Sequence, residues 1–498
     1  MQVLSPIGGL VFLIVYGAVM VGLTAWFGRG HKKDKAEFLL AGRGIGVLPG
    51  AMSIAASWIW APALFVAAQM AYEKGAPGLL WFVLPNVASL LVFAPLAFRI
   101  RKILPTGYTL PQLMRQQHGR GVHVLYVIQF FGLQICSFAV QILAGATLIQ
   151  MMTGLGFHLV AIVLVLTALT YSVMGGIRAS VVTDILQMTL ILLIAFITVP
   201  WVVSNAGGIQ TVSGGLAGVT GEYGNVFDPW IAYSFGIPVT IALLSGPIGD
   251  QMHWQRAFAL RSDKDVIKTF MLGAFLFVMV PLTLSILGFV AANTEISSGW
   301  EIPSNQLIGP VTVAHLLPSF MLIVFGIMLL SGLCSTLDSI LCAASALATV
   351  DLARSSNSIE DNDEHDVSKV TIARIGMLVT ALVGLAIACI PGLQIVHLFL
   401  FYGTWRASTM IPTVLSLFWS KLNSQSVFAA ILASLIFGAP VYAAGVVLKN
   451  PHLSVTGSLL VVLIGFAVCT VWSKFAPAHR VFSEVDSDRP SSVEGDAA

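Results

Sequence analysis

The sequence predicts an all-α integral membrane protein with about 13 transmembrane helices, and two observations support this prediction. First, 57% of the 498 residues are hydrophobic and only 10% are charged, with a mean hydropathy of +0.89. A soluble globular domain carries roughly 25% charged residues to solvate its surface, so the outer surface of this chain is expected to face lipid. Second, apolar stretches of about 18 residues or more, long enough to cross a bilayer, recur along the chain.

The predicted spans follow one another with short connections, which leaves no soluble catalytic domain and predicts that the protein is not an enzyme. Any function must therefore lie between the helices. The spans cover about 6–28, 46–72, 78–100, 122–152, 157–176, 180–204, 229–250, 265–292, 312–353, 371–390, 394–420, 426–448 and 455–475.

The distribution of lysine and arginine predicts the orientation in the plasma or inner membrane. With the N-terminus outside and the C-terminus in the cytoplasm, Lys74 and Lys449 are the lysines assigned to external loops, and the other loop cations that we assign lie inside. This asymmetry follows the positive-inside rule. The net charge of +2 and the lack of a basic run argue against nucleic acid as a partner, which leaves the lipid bilayer and a small-molecule solute.

Three connecting segments and the five cysteines are not expected to carry chemistry. Residues 205–228 are rich in glycine and predict an external loop, whereas residues 354–370 predict an acidic cytoplasmic linker. The last residues, 481–498, predict a disordered cytoplasmic tail. The cysteines all lie in apolar segments without a C-x-x-C pair, which favours buried side chains over a metal or redox site.

Two predicted spans carry residues that break a helix at membrane depth. The second predicted span contains the segment 53–62, which ends at Pro62. A proline frees backbone carbonyls in the preceding helical turn. These carbonyls then need water, a hydrogen-bond donor or a cation. The alternative is a simple proline kink. The seventh predicted span has two glycines, a proline and Asp250 within Ser245–Gln251, which predicts a second break. The alternative interpretation of Asp250 is an ion pair with Arg256 at the membrane interface.

Two further clusters place polar side chains inside the membrane. In the ninth span, Ser335 and Asp338 belong to one helix face with Ser339 and Cys342, and small hydroxyl residues there are also compatible with close helix packing. Residues 171–187 contain a Gly-Gly turn between two helices, followed by Asp184 near the start of the second. Asp184 is predicted either to cap that helix or to lie on the exit path of a cation.

The two helix breaks lie five spans apart, and since five is odd the two five-helix units have opposite orientations. An inverted repeat with an interrupted first helix in each half is typical of secondary transporters with a site at the membrane midplane. The predicted organisation is an extra helix and cytoplasmic loop in 1–45, a first repeat in 46–228, a second repeat in 229–420, two C-terminal helices in 421–480 and the tail in 481–498.

Several of these segments resemble the sodium:solute symporter family from about residue 40 to 420. The matching stretches are YSVMGGIRASVVTDILQ at 171–187, Gln255-Arg256 after the seventh span, and Ser335-Thr336 in the ninth. The resemblance implies a leucine-transporter-type five-plus-five inverted repeat with Na+ as the coupling ion. It also implies a sodium site, and its residues are the backbone carbonyls of Ala56, Ile59 and Gly332, the hydroxyls of Ser335 and Thr336, and Asp184 on the inward path of the ion.

Some motifs resemble the urea-transporting branch of that family in particular. They are Ser57–Ala61, Ala71-Tyr72-Glu73, Gly75, Gly78, Trp81, Pro105 and Thr109. These motifs make urea the leading candidate among possible solutes. The segment around Asp338 departs from the pattern of that branch, so the resemblance to the branch is weaker than the resemblance to the family.

The predicted function is import of a small polar solute by symport with Na+ through alternating access. The solute is expected near Trp58, Trp60, Asn86 and Asp250, because indole rings suit a small, flat, neutral polar molecule. The alternatives are a symporter coupled to protons or one for another solute, such as a monocarboxylate, an amino acid or a sugar. A channel or a sensor that does not transport is the alternative from a different class.

Overall fold

The computed structural model describes residues 4–28, 34–353, 368–393 and 395–478, and within them the chain is helical without a strand. One isolated parallel bridge joins Ile45 and Leu260. The predicted tail in 481–498 and most of the predicted linker, residues 354–367, lie outside this range. The helices are α1 (Pro6–Phe27), α2 (Lys35–Leu40), α3 (Val47–Trp58), α4 (Ala61–Ile103), α5 (Leu110–His118), α6 (Arg120–Thr153), α7 (Phe157–Asn205), α8 (Ile209–Gly214), α9 (Pro229–Ile248), α10 (Gln251–Ala259), α11 (Asp263–Ala292), α12 (Thr294–Ser297), α13 (Ile308–Leu316), α14 (Ser319–Leu352), α15 (Ser368–Ala388), α16 (Ile395–Phe418), α17 (Ser424–Val447) and α18 (Pro451–Phe475).

Ten helices within the described ranges are long and apolar enough to cross a membrane, which confirms the predicted all-α membrane class. Their outward faces carry large exposed apolar side chains, such as Leu166, Phe275 and Leu463. These side chains need a lipid environment, because a soluble protein rarely exposes apolar patches of this extent. The ten helices are α1, α4, α6, α7, α9, α11, α14, α15, α17 and α18.

Helices α4 and α7 are too long for a single crossing, and each contains a glycine with non-helical backbone angles. α7 has 49 residues, and at 1.5 Å per residue it would be about 70 Å long, more than twice the hydrocarbon core. Gly176 in α7 has φ +56° and ψ −142°, and Gly75 in α4 has φ +60° and ψ −151°. Only glycine adopts these angles readily, so each glycine marks the junction between two helical segments.

The first interrupted helix breaks between α3 and α4, within the segment that the sequence marks. Ile59 has φ −82° and ψ 68°, and Trp60 is extended. The second break separates α9 from α10 at Gly249 and Asp250, where Asp250 is extended with φ −123° and ψ 121°. Both interruptions expose backbone groups in the protein interior.

Two predicted boundaries differ from the structure. The predicted span 312–353 is two helices, α13 and α14, because Leu317 is extended and precedes Pro318. A residue before proline disfavours the helical region. The predicted loop 205–228 also contains the short helix α8. Neither difference moves a residue of the predicted sites.

Helix α14 forms the centre of the molecule, and nearly all of its residues from Phe325 to Leu347 are buried. It packs against α7, α6, α15, α10 and α3. α11 packs against α3 and α4 on the opposite side of the first break. The break therefore lies between a buried helix and the rest of the bundle, away from lipid.

Candidate cation and solute site

The carbonyl oxygen of Ile59 loses its helical partner at the first break. In a continuous helix it would accept from the N–H of Ala63, but that N–H donates to the carbonyl of Trp60 at 2.9 Å. The contact left to the Ile59 oxygen is the hydroxyl of Thr336, whose Oγ1 lies 3.4 Å away. A buried carbonyl with one long hydrogen bond retains the capacity to bind a cation.

Helix α14 approaches this carbonyl closely because it carries glycine at position 332. A Cβ atom there would lie 3.3 Å from the Ile59 oxygen and 2.7 Å from Cδ1 of Leu64. Thr336 also donates to the carbonyl of Gly332 at 3.1 Å. Three of the predicted sodium ligands, Ile59, Gly332 and Thr336, therefore lie together across the interface between the break and α14.

Ser335 faces a different partner from its neighbour Thr336. Its hydroxyl donates to Oδ1 of Asp184 at 2.5 Å, and both side chains are fully buried. Asp184 does not cap its helix in these contacts, because its acceptors are used by side chains, three from other helices and Ser180 one turn earlier in its own helix. The carbonyl of Ala56 accepts from the N–H of Ile59 at 3.2 Å and lies at the last turn of α3.

Arg256 lies beneath this group and joins three helices. Its guanidinium donates to Oδ2 of Asp184 at 3.2 Å, to Ser53 at 2.9 Å and to Ser339 at 2.6 Å. The alternative interpretation of Asp250 as the ion-pair partner of Arg256 is wrong, since the carboxylate within salt-bridge distance of Arg256 is Asp184. Asp184 is the partner because the side of α10 that carries Arg256 packs toward Asp184 of α7 and Ser339 of α14.

Asp338 is held by hydroxyl groups rather than by a cation. It accepts from Ser180 at 2.6 Å, from Tyr171 at 2.8 Å and from Thr183 at 3.2 Å. The close-packing interpretation of this face of α14 is therefore incomplete, because the small hydroxyl residues also satisfy a buried carboxylate.

The donor atoms at this site are oxygens from carbonyls, hydroxyls and a carboxylate. Unwound backbone carbonyls with neighbouring oxygen ligands are how secondary transporters coordinate Na+. Within the described residues there is no group of three or more His, Cys, Asp and Glu residues that would favour a transition metal. The residues present fit a hard monovalent cation.

The two tryptophans of the first break line the neighbouring space. The Trp58 and Trp60 ring centroids lie 6.4 Å apart, and Nε1 of Trp58 donates to the backbone carbonyl of Asn86 at 3.3 Å. The ring of His253 lies edge-on to Trp58 at a centroid distance of 5.1 Å. Trp58 and Asn86, two residues of the predicted solute site, are thus in direct contact.

Asp250 lies at the second break and caps α10. Its Oδ1 accepts from the N–H of Met252 at 3.1 Å and from Nε2 of Gln134 at 3.0 Å. The preceding residue, Gly249, contacts Arg406, because a Cβ at position 249 would lie 2.4 Å from Cγ of Arg406. The guanidinium of Arg406 donates to the carbonyl of Ala242 at 3.1 Å and to the hydroxyl of Tyr402 at 2.9 Å.

Three residues of this region, Gln134, His253 and Arg406, are absent from the predicted site. The criterion that we used for the aspartates, a polar or charged residue inside an apolar span, would also have identified these residues from the sequence. Arg406 is 1% exposed and lies within the predicted span 394–420. A charge at that depth indicates a functional residue by the same argument.

Several buried polar atoms around the two breaks have no hydrogen-bond partner in the described part of the chain. A folded protein usually satisfies such atoms, so a polar solute bound between the breaks would supply the missing partners. The atoms are Oδ1 of Asn86, Oε1 of Gln134, both ring nitrogens of His253 and Nε of Arg406.

A cavity of about 240 Å³ lies between the first half of α4, α6 and the segment before α13. Its lining includes Phe65 and Val66 of α4, Thr147 of α6 and Leu307. Phe65 follows Trp60 by little more than one helical turn. The cavity therefore opens close to the first break.

The chain is similar in sequence to known membrane transporters. A sequence model of the sodium:solute symporter family matches residues 38–434. The urea-proton symporter DUR3 of Oryza sativa subsp. japonica is 22% identical, and the match covers 96% of this chain and 72% of the rice protein. The sodium/glucose cotransporter of Vibrio parahaemolyticus is 23% identical, with 87% and 84% covered.

Among solved structures, a Na+-coupled sialic acid symporter in a substrate-bound outward-open state has the same fold. Its TM-score is 0.75 at 17% sequence identity, and the match covers 95% of this chain and 99% of that chain. At this identity the likeness concerns the fold alone.

Proposed function

Because the chain belongs to the sodium:solute symporter family, we propose that it imports a small neutral polar solute, with urea as the first candidate, by symport with Na+. Its relatives are transporters and not enzymes. The observation that supports sodium coupling best is the carbonyl of Ile59, which has lost its helical partner and faces the hydroxyl of Thr336.

The proposed sodium site lies between the first break and α14. Carbonyls of Ala56, Ile59 and Gly332 and hydroxyls of Ser335 and Thr336 supply neutral oxygens, and the carboxylate of Asp184 is one hydrogen bond away through Ser335. Na+ bound there would hold α3, α4 and α14 together. Ligand binding shifts a conformational equilibrium only through such differential contacts, so this arrangement couples the ion to the outward-facing state.

The proposed solute site lies beside it, between Trp58, Trp60, Asn86 and Asp250. Urea is planar, has one carbonyl acceptor and carries several N–H donors. The acceptors Asn86 Oδ1 and Gln134 Oε1, which have no hydrogen-bond partner among the described residues, complement those donors. The rice relative, named a urea-proton symporter, gives independent support for this solute class.

The proposed topology has 13 crossings, with the N-terminus outside and the C-terminus in the cytoplasm. Counting α4 and α7 as two crossings each, at Gly75 and Gly176, turns the ten spanning helices into twelve crossings. The 24-residue helix α16 is the proposed thirteenth. The two five-helix repeats, 46–228 and 229–420, then begin with the interrupted helices. Alternating access would rock one set of helices against the other around the site.

The direct test is uptake of labelled urea into proteoliposomes with and without an inward sodium gradient. We expect uptake to depend on sodium and to fall strongly when Ser335 and Thr336 are both replaced by alanine. Thr349→Ala is the matched control, because this hydroxyl on the same helix donates only within the helix, to Ser345 at 2.8 Å. Unchanged sodium dependence in the double variant would reject the sodium site.

Proton coupling is the second candidate, favoured by the name of the rice relative. In the same proteoliposomes, an inward proton gradient replaces the sodium gradient. Urea uptake driven by protons in sodium-free buffer would favour this candidate, and its absence would favour sodium.

A further inference from the structure

The second break brings together two buried residues of opposite charge, Asp250 and Arg406. They are 2% and 1% exposed, respectively. The stem of Arg406 packs on Gly249, the residue before Asp250, and the two side chains interact electrostatically. No direct salt bridge closes this pair within the described residues, so the two charges face the same region without neutralising each other by contact.

Each residue retains one unused hydrogen-bonding position. Both terminal nitrogens of Arg406 donate to protein groups, whereas its Nε–H has no acceptor among the described residues. Oδ1 of Asp250 accepts twice, and no hydrogen bond within the described chain reaches its Oδ2. The unused positions are therefore one donor on a cation and one acceptor on an anion.

The other charges near this pair are already matched. Arg256 also acts on Asp250, but its guanidinium is bonded to Asp184. Tyr402 contacts Arg406 through its hydroxyl and its ring, with the guanidinium carbon 4.4 Å from the ring centroid, and the ring of Trp60 lies 6.1 Å from that of Tyr402. Arg406 is thus linked by aromatic contacts to the predicted solute residues.

We propose that Asp250 and Arg406 form a charge filter that makes the site selective for neutral solutes. The carboxylate accepts an N–H group of the solute and Arg406 Nε–H donates to its carbonyl oxygen. A monocarboxylate attracted by Arg406 would be repelled by Asp250, and an organic cation attracted by Asp250 would be repelled by Arg406. A buried ion would therefore lose its hydration without a net electrostatic gain, whereas a neutral solute uses both groups. This inference rests on the proposed function, since it assigns the selectivity of the same solute site.

Three planar solutes of similar size and different charge test the filter: urea, guanidinium and acetate. In the unaltered protein we expect urea, but neither ion, to compete with labelled urea uptake in proteoliposomes. Asp250→Asn leaves a net positive site and should admit acetate, whereas Arg406→Gln leaves a net negative site and should admit guanidinium. In both variants the ratio of the maximal urea uptake rate to the half-saturating urea concentration should fall at least about thirty-fold, because each substitution removes a hydrogen-bonding group for urea and leaves the other buried charge uncompensated.

The double variant and a matched control define the outcome. Asp250→Asn with Arg406→Gln should again prefer urea over both ions, because the net charge returns to zero. Arg374→Gln is the control, since this cation of α15 donates to the carbonyl of Val173, which belongs to neither break, and its selectivity should be unchanged. The filter is overturned if both single variants keep the order of the unaltered protein or change in the same direction.

A milder variant and a binding measurement keep the test decisive. Arg406→Lys keeps the positive charge but removes Nε–H, so rejection of both ions should persist while urea competes more weakly. Binding of the three solutes to purified protein, measured as a shift in melting temperature, reports on the filter without transport. Absence of sodium-driven urea uptake in the unaltered protein would reject the proposed function, whereas unchanged charge preference in the variants would reject only the filter.

Discussion

At the scale of single residues, the proposed sodium site depends most on one carbonyl oxygen, that of Ile59. Its helical donor turns to Trp60 instead, and the glycine at 332 allows α14 to approach within van der Waals distance. Backbone oxygens without partners are costly inside a membrane. A cation that satisfies this oxygen therefore removes a cost that the protein otherwise bears.

Gly332→Ala is expected to weaken sodium binding without abolishing folding. The added Cβ would lie 2.7 Å from Cδ1 of Leu64 and 3.3 Å from the Ile59 oxygen, so α14 must shift away from the break. Overpacking of this kind costs about 1–3 kcal/mol. We expect the sodium concentration for half-maximal uptake to rise about tenfold, as an ion titration of urea uptake would show.

The matched control for this substitution is Gly22→Ala. No atom outside its own helix lies within 4 Å of a Cβ at that position in α1. This variant should titrate like the unaltered protein. An unchanged sodium titration in Gly332→Ala would show that α14 does not set the distance to the break.

At the scale of elements, glycine residues mark the junctions at which the long helices α4 and α7 are interrupted. Gly75 and Gly176 both have φ near +60°, and each lies against a backbone oxygen of another segment. Their sequence context differs, because Gly176 belongs to a Gly-Gly pair and Gly75 does not. The backbone angle and the close approach act together, so neither position tolerates a side chain.

Gly176→Ala is expected to destabilise the protein strongly. The residue has φ +56°, and a Cβ would lie 2.1 Å from the carbonyl oxygen of Phe38. Backbone strain of this kind costs about 1–3 kcal/mol, and the clash adds to it. We expect a lower melting temperature and less protein in the membrane fraction.

Gly119→Ala separates strain from the clash in this experiment. Gly119 has φ +80°, but nothing lies within 4 Å of its Cβ position. It should lose less stability than Gly176→Ala. Equal losses in the two variants would show that contact with Phe38 contributes nothing.

At the scale of the whole molecule, exposed charge marks the two membrane surfaces. Glu222 lies in the predicted external loop, and Lys264 lies in the first turn of α11 on the predicted cytoplasmic side; both are exposed. The five natural cysteines lie in apolar segments, and the structure buries three of them and half-buries the others. Because the natural cysteines have low exposure, we expect them to react little with a labelling reagent. A cysteine introduced on the surface can therefore serve as a topology marker.

The proposed orientation predicts that a membrane-impermeant maleimide labels Glu222→Cys in intact cells and labels Lys264→Cys only after permeabilisation. The positive-inside distribution of the loop cations is the physical reason. Labelling is measured by gel shift, with the unaltered protein as the background control. Fast labelling of Lys264→Cys in intact cells would contradict the orientation.

The sequence was most informative where the chain violates the rules of the bilayer. Proline, glycine and aspartate at membrane depth predict the breaks at 59–60 and 249–250, because these residues oppose a continuous apolar helix. The partners of each side chain could not be predicted in this way. Arg256 meets Asp184 rather than Asp250 because of how α10 is oriented, and orientation arises from packing over many helices.

Arg406 shows a different gap between sequence and structure. The same depth rule applies to it, yet its span carries no other charged residue of the Asp, Glu, Lys or Arg type, so nothing local indicates a charged partner. Its proximity to Gly249 comes from a contact across more than 150 positions of the chain. Such a contact becomes visible only when the helices are assembled.

The hydrogen bonds of Arg256 have a kinetic consequence. One guanidinium is bonded to Ser53 of α3, Asp184 of α7 and Ser339 of α14, so movement of any one of these helices alone breaks a buried hydrogen bond. On the proposed exit path past Asp184, release of the ion would require a concerted rearrangement of all three helices. Turnover would then be limited by the opening of this junction, and the affinity for ion or solute would have little influence on the maximal rate.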